Sequence, residues 1–383
     1  MQNAERGRAD GIRPYQRWLK KIISRAAHSV DEFAHTIFMQ NKNHIGERSL
    51  QFPHRPRVVS AACIAGPLEG AGPIGKLFDI VLTDDKLGED SFERAEQVMF
   101  ENTVRLAVSK AGLEAADIKC LLAGDLLNQI ITANYSARNL QTPLLGLYGA
   151  CSTMSESLLL GACLVDGGYA APVACAACSH YSTAERQYRL PLEMGATEPV
   201  YAQRTVTAAG CVLLSDQLPP KASFRHCAVT GATIGCVVDL GITDSSNMGG
   251  AMAPAACDVI VTHLKDFGRA VTDYDWIVTG DLGKFGTEML FSLAAEQNID
   301  LGGRHIDCGN MIYTANEKNM AGGSGCGCSA AVLTSRLLKD LEEHCVQRIL
   351  FLATGALMSP TSSLQGESIP CIAHAVVLEY VED

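Results

Sequence analysis

The same order of predicted elements occurs twice along this chain of 383 residues, and this internal repeat constrains the fold more than any other feature. Three pairs of segments match in order: residues 118–140 with 274–299, residues 149–179 with 325–357, and residues 205–217 with 369–381. The first pair reads as strand, Gly-Asp, loop and helix, the second as small-residue turn, helix and β-rich run, and the third as an apolar strand. The repeat therefore predicts an α/β fold of two duplicated halves with pseudo-twofold symmetry, packed as one domain around a shared helical layer.

The repeat also sets the expected domain boundaries. We expect an N-terminal half over residues 51–217 and a C-terminal half over residues 218–383, preceded by an extension over residues 1–50.

The N-terminal segment differs in charge from the rest of the chain. The first 57 residues carry 11 Lys and Arg against 5 Asp and Glu, a net charge of +6. Because the whole chain carries −11, the remaining residues carry −17. Apolar residues at helical spacing predict a basic amphipathic helix within residues 14–39. Such a helix suits an anionic membrane surface or a partner protein, or it is a solvated extension without a specific role.

Composition excludes several classes of protein. The hydrophobic fraction of 47% and charged fraction of 19% are typical of a compact soluble protein. The net charge of −11 disfavours nucleic acid as a partner. No uncharged apolar run reaches the length of a membrane span, and the polar first sixteen residues lack the apolar core of a secretory signal. We therefore expect a cytoplasmic protein.

Fifteen cysteines occur in the chain, most of them within apolar runs. Cys175 and Cys178, like Cys326 and Cys328, have spacings found in metal sites, but the first pair lies in a strand-like run and the second in a glycine loop. We interpret the cysteines as buried thiols and predict no metal site.

The segment Gly149–Thr153 combines a cysteine with a strand-to-helix turn. The positive end of a helix dipole lowers a thiol pKa and offers backbone N–H groups to an anion, so Cys151, with the N–H groups of Ser152 and Thr153, is a candidate nucleophile or binding turn. Alternatively the turn only caps the helix.

Two aspartates occupy equivalent strand ends in the repeat, Asp125 and Asp281. Ligands of α/β proteins bind beside the carboxyl ends of strands, so both are candidate site residues, and Asn128 adds an amide nearby. Capping of the following helix is an equally good interpretation of each aspartate.

Cations in the acidic body are candidates for binding an anion. His180, Arg186 and Arg189 follow the second strand of the first half, although surface salt bridges, for example to Glu185 or Glu193, are an equal alternative. The polar, Gly-rich segment at residues 237–256 is expected to be a loop that lines a site or a subunit contact.

Several long blocks are similar to a known family. They include LLAGDLLNQIITANYSAR, LYGACSTMSES, HYSTAERQYR, VVDLGITDSSNMGGAMAPAA and AGGSGCGCSA, and the similarity spans about residues 51–381. The chain resembles the stage V sporulation protein AD family, itself related to the thiolase superfamily of condensing enzymes.

The resemblance implies a thiolase-like fold in a layered αβαβα arrangement and a homodimer. It implies binding of dipicolinic acid (pyridine-2,6-dicarboxylate), with or without calcium, and its uptake into the developing spore together with other SpoVA membrane proteins. The protein would be peripherally associated with the spore inner membrane, without a cofactor of its own. The basic N-terminal helix is not part of the family pattern.

The superfamily's catalytic residues carry over only in part. Cys151 falls on the nucleophile position, and Asn310 falls on a second polar position. Condensing enzymes need a histidine donor where Asp281 stands, so we expect ligand binding instead of condensation. Asp125 and Asp281 would repel a bare dianion unless they hold a bridging calcium or orient a donor. The alternatives are an acyltransferase or ketoacyl synthase that acylates Cys151, and a scaffold without a small-molecule site.

Overall fold

The computed structural model describes residues 43–188, 199–313 and 321–382, and Ile45–Asp383 forms one compact unit. The helix expected within residues 14–39 and the candidate Arg189 lie outside the described residues.

The secondary structure of this unit alternates strands with helices. The strands are β1 (His44–Ile45), β2 (Ser49–Gln51), β3 (Arg57–Ala65), β4 (Ile80–Val81), β5 (Cys120–Gly124), β6 (Leu144–Gly146), β7 (Val173–Ser179), β8 (Arg204–Thr205), β9 (Ala208–Ser215), β10 (Cys227–Thr233), β11 (Trp276–Thr279), β12 (His305–Asp307), β13 (Gly323–Ser324), β14 (Arg348–Ala356) and β15 (Cys371–Tyr380). The helices in the described ranges are α1 (Pro67–Gly70), α2 (Phe92–Lys110), α3 (Ile131–Leu140), α4 (Thr153–Asp166), α5 (Tyr181–Tyr188), α6 (Met248–Phe267), α7 (Gly283–Glu296), α8 (Gly309–Ile312), α9 (Cys326–Val332), α10 (Leu338–Glu342) and α11 (Pro360–Leu364). A π-helical turn, Leu333–Leu337, joins α9 to α10.

The two halves have the same sheet topology. The first half has the strand order β3-β9-β7-β5-β6, and the second has β10-β15-β14-β11-β12. In each half the first three strands of this order pair antiparallel and the last three pair parallel. The three repeats predicted from the sequence therefore correspond to equivalent strands and helices.

The sheets are buried on both faces because helices cover them. The strand β7 reads VACAACS and is buried along its whole length, as expected of strands enclosed by two helical layers. Its small side chains let the covering helices approach closely.

Three hydrophobic clusters define the layers. The strands of the two halves join through β10 and β3 into one 13-stranded sheet. One cluster contains α2 and α3 with the outer face of the first half's strands, one contains α6 and α7 with the outer face of the second half's strands, and the largest contains α4, α9 and α10 between the strands of the two halves. The layered αβαβα fold is confirmed.

The boundary between the two halves lies in the connection between two strands. The last strand of the first half ends at Ser215, and the first strand of the second half begins at Cys227. The expected boundary between residues 217 and 218 stays a prediction.

The Gly-rich segment at residues 237–256 is only partly the expected loop, because α6 begins at Met248. A Cβ atom at Gly249 would lie 2.3 Å from the carbonyl oxygen of Leu282, and one at Gly286 would lie 2.6 Å from the carbonyl oxygen of Gly249. The glycines thus allow α6 and α7 to touch along their backbones.

All fifteen cysteines are free thiols. The four cysteines of the two metal-like spacings, Cys175, Cys178, Cys326 and Cys328, are fully buried. Within the described ranges no three metal-binding side chains come together, and no helix there is long and apolar enough to cross a membrane.

Candidate functional site

Equivalent turns of the two halves meet at the centre of the molecule. The turn Gly149–Thr153 precedes α4, and the turn at Ser324–Gly325 precedes α9. The first turn also packs against β14, since a Cβ atom at Gly355 would lie 2.0 Å from the carbonyl oxygen of Gly149. The candidate site therefore lies between the two halves, as the repeat predicts.

The Cys151 turn is held in one conformation by its own side chains. The hydroxyl of Ser152 donates to the carbonyl oxygen of Gly149 at 2.7 Å, and the hydroxyl of Thr153 donates to that of Ala150 at 2.7 Å. Ala150 has φ 50°, the left-handed region that residues other than glycine rarely adopt. Such strain is often found at functional turns.

The backbone N–H groups of this turn already have acceptors. The N–H of Ser152 donates to the Gly149 carbonyl at 3.0 Å, and that of Thr153 donates to the Ala150 carbonyl. The pair of donors expected from the sequence is thus engaged within the turn in this structure, so an anion would have to break these bonds to use them.

Asp281 is the polar partner of Cys151. Its carboxylate accepts hydrogen bonds from the Thr354 hydroxyl at 2.8 Å, the Gly325 N–H at 2.9 Å and the Ser324 hydroxyl at 3.1 Å. The negative charge of the same carboxylate acts on the Cys151 thiol and raises its pKa. Asp281 therefore braces the turn before α9 against β14 and Cys151.

Helix α7 is capped by another aspartate, so the capping interpretation does not apply to Asp281. The carboxylate of Asp307 accepts the N–H groups of Leu282 and Gly283 at 2.8 and 2.9 Å. This cap comes from β12, which the sequence did not single out.

The electrostatics keep the proton on sulfur. Burial raises the pKa of the Cys151 thiol well above its usual value, and the negative charge of Asp281 raises it further. Burial raises the pKa of Asp281 to about 6. Because the thiol pKa lies far above that of the carboxyl, Asp281 does not deprotonate Cys151 at neutral pH.

A narrow, mainly apolar cleft leads to Cys151. The space between its lining atoms, including the part open to solvent, is about 430 Å³. The described lining is Leu126, Tyr148, Ala150, Cys151, Ala184, Glu185, Tyr188, Thr205, Met248, Ser324, Ala356 and Met358. Tyr148 is 41% exposed at the cleft, and its hydroxyl lies 2.9 Å from that of Tyr188.

The sequence missed most of this lining. Tyr148 directly precedes the GACST turn, and Met358 follows β14 at a carboxyl strand end, so position in the repeat could have indicated both. Tyr188 and Met248 come from separate helices, and only the tertiary structure brings them to the cleft.

Asp125 is a helix cap. Its carboxylate accepts the N–H of Ala133, in the first turn of α3, and the N–H of Leu127, in the loop before that helix, each at 2.9 Å. Asn128 is exposed, and its backbone N–H donates to the side chain of Gln187 at 3.0 Å. Neither residue belongs to the described lining of the cleft.

Two of the candidate cations, His180 and Arg186, also lie outside the described lining. His180 is buried and accepts the Ser182 N–H at Nδ1, while its Nε2 lies 2.8 Å from the Asp85 carbonyl. Burial lowers the pKa of His180, which favours the neutral ring. Arg186 forms an ion pair with Glu93, so the salt-bridge alternative describes it, although with a different partner from those considered.

Asn310 lies on α8 and is exposed. Its N–H donates to Asp307 at 3.1 Å and its side-chain amide donates to the Thr287 hydroxyl at 3.4 Å. Of the candidate residues in the described ranges, which exclude Arg189, the structure brings only Cys151, Ser152, Thr153 and Asp281 together around one point.

Comparison with solved structures identifies the fold. The chain matches 3-oxoacyl-[acyl-carrier-protein] synthase III from Aquifex aeolicus VF5 with a TM-score of 0.52 at 13% identity, covering 85% of this chain and 100% of that one. It matches human mitochondrial 3-ketoacyl-CoA thiolase with a TM-score of 0.53 at 13% identity, covering 86% and 98%. At these identities the likeness shows the thiolase-like fold alone.

Sequence comparison identifies the family. The profile of the family described as Stage V sporulation protein AD (SpoVAD) matches residues 46–379. The chain is 46% identical over 334 residues to Stage V sporulation protein AD of Bacillus subtilis (strain 168), which covers 87% of this chain and 97% of that relative. These matches confirm the resemblance, and the chain belongs to the stage V sporulation protein AD family.

Proposed function

We propose that the cleft at Cys151 binds dipicolinic acid and that the protein takes part, with other SpoVA proteins, in moving this molecule into the developing spore. The observation that carries the proposal is the state of Cys151. The residue lies at the nucleophile position of a thiolase-like fold, yet it is buried, and burial together with the charge of Asp281 raises the pKa of its thiol well above the usual value. A cleft kept without the reactive thiolate is suited to holding a ligand.

The lining of the cleft suits a flat ring. Tyr148 and Tyr188 contribute aromatic side chains, and Met248 and Met358 contribute thioethers. Aromatic rings and methionine sulfur both pack favourably against an aromatic ligand. Dipicolinic acid carries such a ring, and the cleft, which is narrow in this structure, would have to open to admit it.

Charge at the cleft favours a neutralised form of the ligand. Glu185 belongs to the lining, and the Asp281 carboxylate lies directly behind Cys151. A bare dicarboxylate would be repelled by both. Calcium held by the ligand's two carboxylates would cancel their charge, so we propose that the calcium complex binds more tightly than the free dianion.

The alternative is an acyltransferase or ketoacyl synthase that acylates Cys151. That chemistry needs a thiolate and free donors for an oxyanion. The nearby N–H groups of Ser152, Thr153 and Gly325 already have acceptors, and the thiol is protonated. The arrangement therefore supports binding better than acyl transfer.

Calorimetric titration with dipicolinate, with and without calcium, tests the proposal. We expect saturable binding that is tighter with calcium and weakens severalfold in Tyr148→Ala, which removes one ring. Arg186→Ala is the matched control, because this side chain pairs with Glu93 and does not line the cleft. Absence of saturable binding in both conditions, together with acylation of Cys151 by an acyl-thioester, would establish the alternative.

The cellular setting of the proposal comes from the family. We propose peripheral association with the spore inner membrane through other SpoVA proteins. Co-purification from spore membranes that depends on one of those proteins would support this part, and recovery of the protein from the soluble fraction alone would contradict it.

A further inference from the structure

We propose that the groove between α2 and α3 is a second ligand site, which takes a small aromatic carboxylate. The groove lies on the outer side of the first half, where both helices cover the sheet. The space between its lining atoms, including the part open to solvent, is about 630 Å³. Its described lining is Glu93, Arg94, Gln97, Ile131, Thr132, Tyr135 and Arg138.

Helical spacing brings the polar groups of the groove together. Thr132, Tyr135 and Arg138 recur every three residues on α3, so they share one face of that helix. The guanidinium carbon of Arg138 lies 4.6 Å from the centre of the Tyr135 ring. This stacking presents the edge of the guanidinium, with its N–H groups, beside an aromatic surface.

The Arg138 charge is available to a ligand. Its Nε donates to the side chain of Asn139 at 3.2 Å, a neutral acceptor, and Arg138 forms no ion pair within the described part of the chain. Arg94, the second guanidinium of the lining, forms an ion pair with Glu89 at 3.6 Å, and the acid of the lining, Glu93, is paired with Arg186. Arg138 is thus the cation of the described lining that no acid pairs with, and guanidinium groups bind carboxylates with charge-assisted hydrogen bonds.

A carboxylate on a flat ring fits Arg138 and Tyr135. Its oxygens would accept N–H groups of the Arg138 guanidinium, and its ring would stack beside the exposed Tyr135 ring.

Titration of the protein with benzoate, followed by NMR, tests this site. We expect saturable shifts at the α2 and α3 residues, and affinity about tenfold or more weaker in Arg138→Gln, because a charge-assisted hydrogen bond is lost. Arg105→Gln is the matched control, since Arg105 lies on the neighbouring helix α2, pairs with Glu101 and does not line the groove. Benzamide, which has no charge, should not compete.

Tyr148→Ala, in the Cys151 cleft, should leave benzoate binding unchanged, which distinguishes this site from the proposed dipicolinate site. Equal benzoate affinity in Arg138→Gln and Arg105→Gln, or no saturable binding, would overturn the proposal.

Discussion

Glu96 is a carboxyl group enclosed by the core beneath α5. It is fully buried, accepts the Thr183 hydroxyl at 2.7 Å and lies 3.6 Å from the sulfur of Cys178. Burial raises its pKa, and the negative charge of Asp125 raises it further. The folded protein therefore holds Glu96 in its neutral form at a pH where an ordinary glutamate is ionised.

This burial predicts a pH dependence of stability. Because the pKa of folded Glu96 lies above its unfolded value of 4.5, stability falls as pH rises from 4.5 toward the folded pKa, by about 1.4 kcal/mol per pH unit from this group. Glu96→Gln removes that dependence, since the amide stays neutral and its carbonyl still accepts from Thr183. Urea unfolding at pH 5, 6 and 7 should give a shallower slope for the variant. Parallel curves would contradict the account.

The protonated state of Cys151 predicts low reactivity. Alkylation requires the thiolate, and burial with Asp281 disfavours it. In native protein at pH 7, iodoacetamide should label Cys236 and Cys345, which are exposed, well before Cys151. Peptide mass spectrometry over time measures the order. Labelling of Cys151 ahead of the two exposed cysteines would mean that the site holds a reactive thiolate after all.

The roles of the two aspartates show what local sequence can predict. The partners of Asp125, Leu127 and Ala133, are two and eight residues away, so the capping interpretation could be made from the sequence. The partners of Asp281 lie 43 to 73 residues away, across a turn and a strand. Its role as a brace depends on tertiary structure, and no local pattern indicates it.

At the level of elements, α6 and α7 meet through glycine. A Cβ atom at Gly286 would lie 2.6 Å from the backbone oxygen of Gly249, and backbone cannot rotate away as a side chain can. Gly286→Ala should therefore lower the free energy of unfolding by roughly 1–3 kcal/mol. The midpoint of urea unfolding measures the change.

Gly303→Ala is the control for this substitution. Gly303 has open space around its Cβ position and no positive φ, so the same change should be nearly neutral. Equal effects at the two glycines would show that the close approach of the helices does not govern stability.

The repeat predicted the elements better than it predicted their ends. Equivalent strands β5 and β11, β7 and β14, and β9 and β15 all fall within the matched segments. The start of α6 was missed because Gly249, Gly250 and Pro254 are poor helix formers. Tertiary packing against α7 overrides that local preference.

For the whole molecule, the edge strand β6 is the surface suited to self-association. It ends the strand order of the first half, and in the described structure it pairs only with β5. Leu145 on this strand is 50% exposed. Unpaired apolar edges recruit another chain, so we expect two copies to associate here as a homodimer.

Sedimentation at micromolar concentration checks the homodimer. The wild type should sediment at twice the chain mass, and Leu145→Lys should shift it toward the monomer because a charge would be buried. Tyr169→Lys is the control, as this exposed side chain follows α4 and is not on the edge strand. A wild-type monomer, or a dimer unaffected by Leu145→Lys, would contradict the expectation.

We propose that the thiolase-like fold here holds a ligand at Cys151 instead of performing chemistry on it. A crystal structure of the protein grown with dipicolinate and calcium decides between the two. We expect the pyridine ring between Tyr148 and Met358, in contact with an unmodified Cys151 sulfur. Dipicolinate bound elsewhere with an empty Cys151 cleft would contradict it.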